Sequence, residues 1–145
     1  MTRRSLAFLP VVLLASCSSY QSDFRKASRS FKQGETPAGP WEGSWKSNHN
    51  GHHGPLWCMV SRDEDPNFWN FRYRAGWGAV QFGDYVHRVK ATLQPDGSLP
   101  LDASMTLPSN FGTYRVTGTI TPTKFDIRFK GNGDHGTMTM SRPKK

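Results

Sequence analysis

The chain is short of cysteine, of acidic residues and of long apolar runs. Its 145 residues include 2 cysteines, so at most one disulfide bridge can form within it. After residue 16, no apolar stretch approaches the ~20 residues that a transmembrane helix needs. The motifs Gly-x-Ser-x-Gly and His-Glu-x-x-His and a phosphate-binding glycine loop are missing as well. We therefore expect one small domain that is not an enzyme and that needs no cofactor.

The first 16 residues have the features of an export signal. Arg3 and Arg4 give this segment a positive start, and residues 6–15 form a short apolar run. That run has roughly half of the ~20 residues that span a bilayer. Such a length is typical of a signal peptide and too short for a permanent membrane helix.

The segment Leu14-Ala15-Ser16-Cys17 resembles the lipobox of bacterial lipoproteins at each of its four positions. The resemblance implies cleavage before Cys17 and attachment of lipid to its thiol. A serine directly after this cysteine implies sorting to the outer membrane in Gram-negative cells. Since more than one acyl chain gives stable anchoring, we expect a protein of the cell envelope that is held on its membrane by lipid. An ordinary signal peptide with a chance cysteine is the alternative.

Basic residues outnumber acidic ones by 19 to 11, which gives a formal net charge of +8. Removal of a leader that contains Arg3 and Arg4 would lower this charge by two. The excess favours anionic envelope partners such as lipid headgroups, lipopolysaccharide or acidic glycans. Nucleic acid is not expected as a partner outside the cytoplasm. Cys58 is expected to be a buried free thiol, because Cys17 would carry lipid.

Residues 17–40 are interpreted as the lipidated cysteine and a flexible tether. The stretch 18–33 is rich in Ser, Gln, Arg and Lys, and residues 34–40 contain several Gly and Pro. Basic residues at three- and four-residue steps leave a second interpretation open, a basic helix on the membrane surface. These residues are Arg25, Lys26, Arg29 and Lys32. We favour a solvated stalk, followed by a folded domain over residues 41–142 and a basic tail at 143–145.

The region from residue 41 to 142 shows a repeated pattern of strands and turns. Phe125, Ile127 and Phe129 alternate with polar residues, and a period of two indicates a strand with one wet and one dry face. Gly, Asn, Asp and Pro residues that favour turns separate such segments. The predicted strands are 41–47, 55–62, 67–74, 79–92, 99–107, 113–120, 124–130 and 136–142. Most of the following aromatic residues are expected in the core: Trp45, Trp57, Trp69, Phe71, Phe82, Phe125 and Phe129.

About eight short strands joined by short turns predict an all-β domain. We expect a small antiparallel up-and-down β-barrel whose first and last strands pair, with a β-sandwich as the alternative. Gly43 and Trp45 form a Gly-x-Trp motif, which resembles the opening strand of the calycin barrels, namely lipocalins and avidin-like proteins. In that family the tryptophan closes one end of the barrel and a late arginine packs across it. The resemblance implies that Arg142 is this arginine.

An up-and-down order brings the turns after the first, third, fifth and seventh strands to one end of the barrel. The residues gathered at this mouth are His49, His52, His53, Trp77, Asn110, Phe111, Asp134 and His135. Trp77 and Phe111 are the predicted stacking surfaces for a ligand. The predicted polar contacts are Asn110, His53 and His135.

Two interpretations of the histidines compete. His52 or His53 could bind a transition metal with Asp134 and His135, since imidazole and carboxylate groups are ligands for Zn²⁺ and Cu²⁺. In the other interpretation these are polar turn residues whose side chains cap backbone groups. We favour the second and predict no metal site, because thiolates and a recognised ligand spacing are missing.

These observations predict a non-enzymatic, lipid-anchored β-barrel that binds a small apolar or amphipathic ligand, or an envelope component, at the mouth. The first alternative is a purely structural or protein-binding lipoprotein with a solid core. The second is a metal-binding module that uses the histidines.

Overall fold

The structure is a computed structural model that describes residues 19–106 and 112–145. Within these residues the chain forms one helix followed by eight strands. They are α1 (Tyr20–Ser30), β1 (Gly39–Ser47), β2 (His53–Arg62), β3 (Phe68–Trp77), β4 (Val80–Lys90), β5 (Leu99–Thr106), β6 (Thr113–Ile120), β7 (Phe125–Gly131) and β8 (Asp134–Ser141). The described helix is too short and too polar to cross a bilayer.

The strands form a single antiparallel sheet in the order β4-β3-β2-β1-β8-β7-β6-β5. Each strand pairs with its neighbour in the chain, except at the step from β4 to β5. Strand β1 also pairs with β8, from Glu42 opposite Ser141 to Ser47 opposite Gly136. The sheet thus curls into a nearly closed up-and-down barrel. This confirms the predicted eight-stranded barrel, and the single sheet excludes the sandwich.

Aromatic side chains fill the inside of the barrel. Five of the largest fully buried residues point inward from the three strands β1, β3 and β7: Trp41, Trp69, Phe71, Tyr73 and Phe125. The ring of Phe125 meets that of Trp41 edge-on at 5.6 Å and that of Phe71 at 6.3 Å. Such edge-to-face contacts add to the stabilisation that burial of the rings provides. The core of this barrel is therefore packed with side chains.

Arg142 closes the lower end of the barrel, where β1 begins and β8 ends. Its guanidinium lies 3.8 Å from the ring centroid of Trp41 and 4.4 Å from that of Phe31. It donates hydrogen bonds to the carbonyls of Pro122 at 3.0 Å and of Pro40 at 3.2 Å. Burial lowers the pKa of Arg142 to about 10. The arginine that the calycin resemblance implied thus packs across a tryptophan at one end of the barrel.

The tryptophan that the resemblance implied for this contact is the wrong one. Trp45 lies further along β1, and its indole N–H donates to the carbonyl of Gly76 on β3 at 2.9 Å. A side chain at Gly43 would collide with the carbonyl of Thr139 on β8, so the glycine permits this close approach of the two strands. The Gly-x-Trp motif therefore positions a tryptophan that crosses from β1 to β3, and Trp41 takes the place next to Arg142.

Helix α1 is docked on the outside of the barrel, which differs from the predicted flexible tether. Tyr20 and Phe24 are 0% and 5% exposed, and the Tyr20 hydroxyl donates to the carbonyl of Arg72 on β3 at 3.1 Å. The Arg72 guanidinium binds Asp23 of the helix at 2.8 Å and Asp84 of β4 at 2.6 Å. Tyr20 and Phe24 are four residues apart, so a helix places both on one face. The composition of this segment could not show that the apolar face of the helix packs on the barrel.

The contacts of Arg142 predict that its replacement by alanine lowers the free energy of unfolding by about 2–3 kcal/mol, since cation–π contacts and charge-assisted hydrogen bonds are lost together. Urea unfolding of a chain that begins at Ser19, followed by tryptophan fluorescence, measures the change. Arg128→Ala is the matched control, because Arg128 is exposed and makes no ion pair within the described residues. Its expected effect is within about 0.5 kcal/mol. Equal effects of the two variants would contradict the role given to Arg142.

Candidate functional site

The first and last turns of the barrel meet at its upper end, opposite to Arg142. The backbone N–H of Asn48 donates to the carbonyl of His135 at 2.7 Å, and the Ser47 hydroxyl donates to Asp134 at 2.6 Å. The rings of His49 and His135 are 6.4 Å apart. These contacts exist because β1 pairs with β8. The structure thus brings together three of the residues predicted at the mouth.

The other described mouth residues form a second group on the side of β3. The ring of His52 lies 4.7 Å from that of Trp77, and Nδ1 of His53 lies 3.2 Å from the carbonyl oxygen of Gly51. Asn110 and Phe111 lie outside the described residues, so their predicted roles stay predictions. The upper end therefore has one histidine pair near β8 and one histidine–tryptophan pair near β3.

This arrangement does not form the metal site considered as an alternative, which used His52, His53, Asp134 and His135. In residues 19–106 and 112–145, no three His, Cys, Asp or Glu side chains are placed to hold a metal ion. The ring of His52 contacts that of Trp77 at a tilt of 30°, while Asp134 accepts the hydrogen bond from Ser47. The candidate ligands thus belong to two separate groups with different partners.

Three large apolar side chains are exposed at the upper end of the β3–β4 hairpin. Trp77, Val80 and Phe82 are 52%, 63% and 37% exposed. Val80 lies opposite Trp77 in the register, and Phe82 lies opposite the buried Ala75. All three therefore lie on the same side of the sheet as the core residues of β3. We call these three residues the apolar rim.

A β-bulge in β4 places Phe82 on this rim. Tyr85 lies opposite Tyr73, and Gly83 lies opposite the next residue of β3. Asp84, with φ +112°, is the extra residue between them. The insertion shifts the alternation, so Phe82 and Tyr85 face the same side of the sheet. Most of the seven aromatic residues expected in the core are buried, but Phe82 is not, since it lies near the tip of the β3–β4 hairpin. Gly and Asp side by side in a strand are a sequence signal for such a bulge.

The barrel is open between β4 and β5, the two edges of the sheet. His87 spans this seam, with Nε2 3.0 Å from the carbonyl oxygen of Ser104 on β5. Its Nδ1 atom is buried and has no hydrogen-bond partner in the described part of the chain. Burial lowers the pKa of His87, and the hydrogen bond with Ser104 offsets only part of this effect. The neutral imidazole is therefore the favoured form at the seam.

Cys58 lies in the core, which agrees with the expectation of a buried free thiol. Its side chain is fully buried, and this burial raises the pKa of the thiol well above its usual value. Because the thiolate is the nucleophilic form, a thiol in this environment is unreactive.

No protein-family model, curated protein or solved structure matches this chain. The residues that the sequence pattern missed at the upper end are Val80 and Phe82. Both lie on the inner face of β4 near the tip of the β3–β4 hairpin, next to the open side of the barrel. The sequence does not reveal where the barrel is open, so it could not show that they are exposed.

The position of His87 predicts that the barrel loses stability as the pH falls from about 7.5 to 5. The pKa of His87 is lowered in the folded state, so the unfolded chain binds a proton at its ordinary pKa of ~6.5, whereas the folded chain binds it only at a lower pH. The lowered pKa values of Asp63 and Asp102 act only at more acidic pH, near and below their unfolded value of ~4.

Urea unfolding at pH 7.5 and at pH 5 measures this effect. The wild-type chain is expected to lose more stability between the two pH values than His87→Gln, which cannot titrate. His53→Gln, at the exposed first residue of β2, should retain the wild-type pH dependence. The same pH dependence in His87→Gln and in the wild type would show that His87 is not its source.

Proposed function

We propose that this chain is a lipid-anchored, non-enzymatic β-barrel that binds the apolar part of a small amphipathic molecule on the apolar rim. The proposal depends on one observation, the exposure of Trp77, Val80 and Phe82 on the inner side of an incompletely closed barrel. Contiguous exposed apolar side chains mark interaction sites on proteins. Full coverage of one such side chain contributes roughly 1.5–3 kcal/mol.

The packed core limits how deeply a ligand can enter. Below the rim, Phe71 and Tyr73 are at most 2% exposed, and their rings lie 6.2 Å apart. An apolar group is therefore expected to rest on the rim and on the open seam beside it. The polar group of the same ligand would meet the histidines of the upper end, with His53 and His135 as the proposed contacts. Phe111 and Asn110 retain their proposed roles as a stacking surface and a polar contact.

Anchoring is proposed from the lipobox sequence that ends at Cys17. Helix α1 begins at Tyr20, three residues further on, and Tyr20 itself is buried against the barrel. Three extended residues span about 10 Å. A lipid on Cys17 would thus hold the barrel close to the bilayer surface, where amphipathic molecules are concentrated. We propose the outer membrane of a Gram-negative envelope as the location, because serine follows Cys17.

A second candidate is a purely structural or protein-binding lipoprotein. The filled core favours it, since Trp41, Trp69 and Phe125 leave little room for a ligand in the middle of the barrel. On this hypothesis the apolar rim contacts a partner protein. The two candidates differ in whether a small apolar molecule is enough to cover the rim.

The apolar rim predicts binding of the neutral probe N-phenyl-1-naphthylamine. A chain that begins at Ser19 should increase the fluorescence of this probe, and Trp77→Ala and Phe82→Ala should each weaken binding about fivefold or more. Val86→Ala is the matched control, because Val86 is 59% exposed on the same strand but faces the outside of the barrel. Probe binding that is equal in all four proteins would contradict a ligand site on the rim and favour the second candidate.

The lipobox predicts that Cys17→Ser abolishes incorporation of radiolabelled palmitate in bacterial cells, because the lipidated thiol is removed. Cys58→Ala should keep the label, since Cys58 lies in the core. Acyl labelling that survives in Cys17→Ser would refute the anchor and leave the proposed ligand site untouched. Fractionation of the envelope then shows whether the labelled protein is in the outer membrane.

A further inference from the structure

The outer surface of β6, β7 and β8 is strongly basic. The register places Arg115 of β6, Lys130 of β7 and His135 of β8 side by side in one row across the sheet. In the next row, Arg128 of β7 lies opposite Thr137 of β8, and Thr137 in turn lies opposite Lys46 of β1. We call these five basic side chains the basic face. All of them except Lys46 line a depression of about 590 Å³ on the outside of the barrel.

Most of this charge is not neutralised. Arg115 binds Asp102 at 2.7 Å, in a pair that is more than half exposed on both sides. Asp126, the next outward residue of β7, is bound by Lys124 at 3.0 Å. Within the ranges that the structure describes, Arg128 and Lys130 make no ion pair. The strand geometry holds these two cations next to each other, and the carboxylates of Asp102 and Asp126 on the same surface are bound to Arg115 and Lys124 instead.

The spacing of the cations favours an extended anion. Neighbouring strands are about 4.8 Å apart, and residues i and i+2 of a strand are about 6.7 Å apart. Neighbouring side chains of the basic face are therefore roughly 5–10 Å apart, so the whole set extends too far for one phosphate to contact every member. Two or more phosphates on one carrier fit this spacing. Arginine suits the task because its planar guanidinium binds two phosphate oxygens at once.

Neutral hydrogen-bonding groups lie between the cations. Thr117 and Thr137 are the neighbours of Arg128 on either side, and Asn48 lies next to His135 at the rim of the depression. Hydroxyl and amide groups between cations provide partners for the hydroxyls of a sugar or polyol. We propose that the basic face binds a multiply phosphorylated sugar or polyol, either free or as the headgroup of a lipid. This site is on the outside of the barrel, separate from the apolar rim.

Isothermal titration calorimetry with inositol hexakisphosphate tests the proposal on the full chain purified in a non-ionic detergent. The wild type is expected to bind this probe, to bind it less as salt screens the charges, and to bind inorganic phosphate far more weakly. Arg128→Gln/Lys130→Gln should weaken binding about tenfold. Both side chains are exposed, so the variant should unfold at the wild-type temperature.

Arg25→Gln/Lys26→Gln is the matched control. It removes the same charge from the exposed face of α1, and it should bind the probe within about twofold of the wild type. Equal weakening in both double variants would mean that only net charge matters and would overturn the proposal. Absence of binding to the wild type, or full binding to Arg128→Gln/Lys130→Gln, would overturn it too.

Micelles that contain cardiolipin distinguish the two sources of the phosphate. If cardiolipin displaces inositol hexakisphosphate from the wild type, the basic face reaches the membrane surface and its ligand is a phosphorylated headgroup. If the probe stays bound, the site faces away from the anchor and takes a free phosphorylated molecule. Either result supports the site, and neither depends on whether the apolar rim binds its own ligand.

Discussion

The hydrogen-bonded pairing of β1 with β8 determines where this barrel is closed and where it is open. All the other pairings join strands that follow one another in the chain. This contact therefore leaves β4 and β5 as the two edges of the sheet. An edge strand presents unpaired backbone groups and is normally covered or paired. Among the residues that the structure describes, the imidazole of His87 bridges the seam to Ser104. Both the apolar rim and the meeting of the first and last turns follow from the same closure.

Arginine side chains serve three different purposes in this barrel. Arg142 is half-buried and closes the lower end with its stacking and hydrogen bonds. Arg72 binds one carboxylate from helix α1 and one from the bulge of β4, and thereby links the helix to the hairpin that forms the rim. Arg128 has no such structural partner within the described residues and projects into the depression on β6–β8. The residue that has no structural role is the one available to a ligand.

The docked helix changes what the proposed lipid anchor would do. A long flexible stalk would let the barrel move far from the membrane, whereas a helix that begins three residues after Cys17 allows little distance. The apolar face of the helix is occupied by the barrel, since Tyr20 and Phe24 are buried there. Its basic residues lie on the exposed face. A lipid at Cys17 and cations along α1 would then contact the same membrane, while the apolar rim lies on the hairpin that Arg72 ties to the helix.

Much of the architecture could be predicted from local patterns, because strand alternation and turn residues are properties of neighbouring positions. Alternation in Phe125, Ile127 and Phe129 located β7 correctly, and the meander with its closing pair followed from strand count and turn length. The position of the seam, the bulge at Asp84 and the docking of Tyr20 depend on contacts between distant segments, and no local pattern contains them. For the same reason the sequence identified Arg142 but not its partner Trp41, and it marked Trp77 but not Val80 and Phe82. The sequence alone determined the strands and the excess of positive charge. Only the tertiary structure decided which side chains stay exposed, because exposure depends on where the sheet closes.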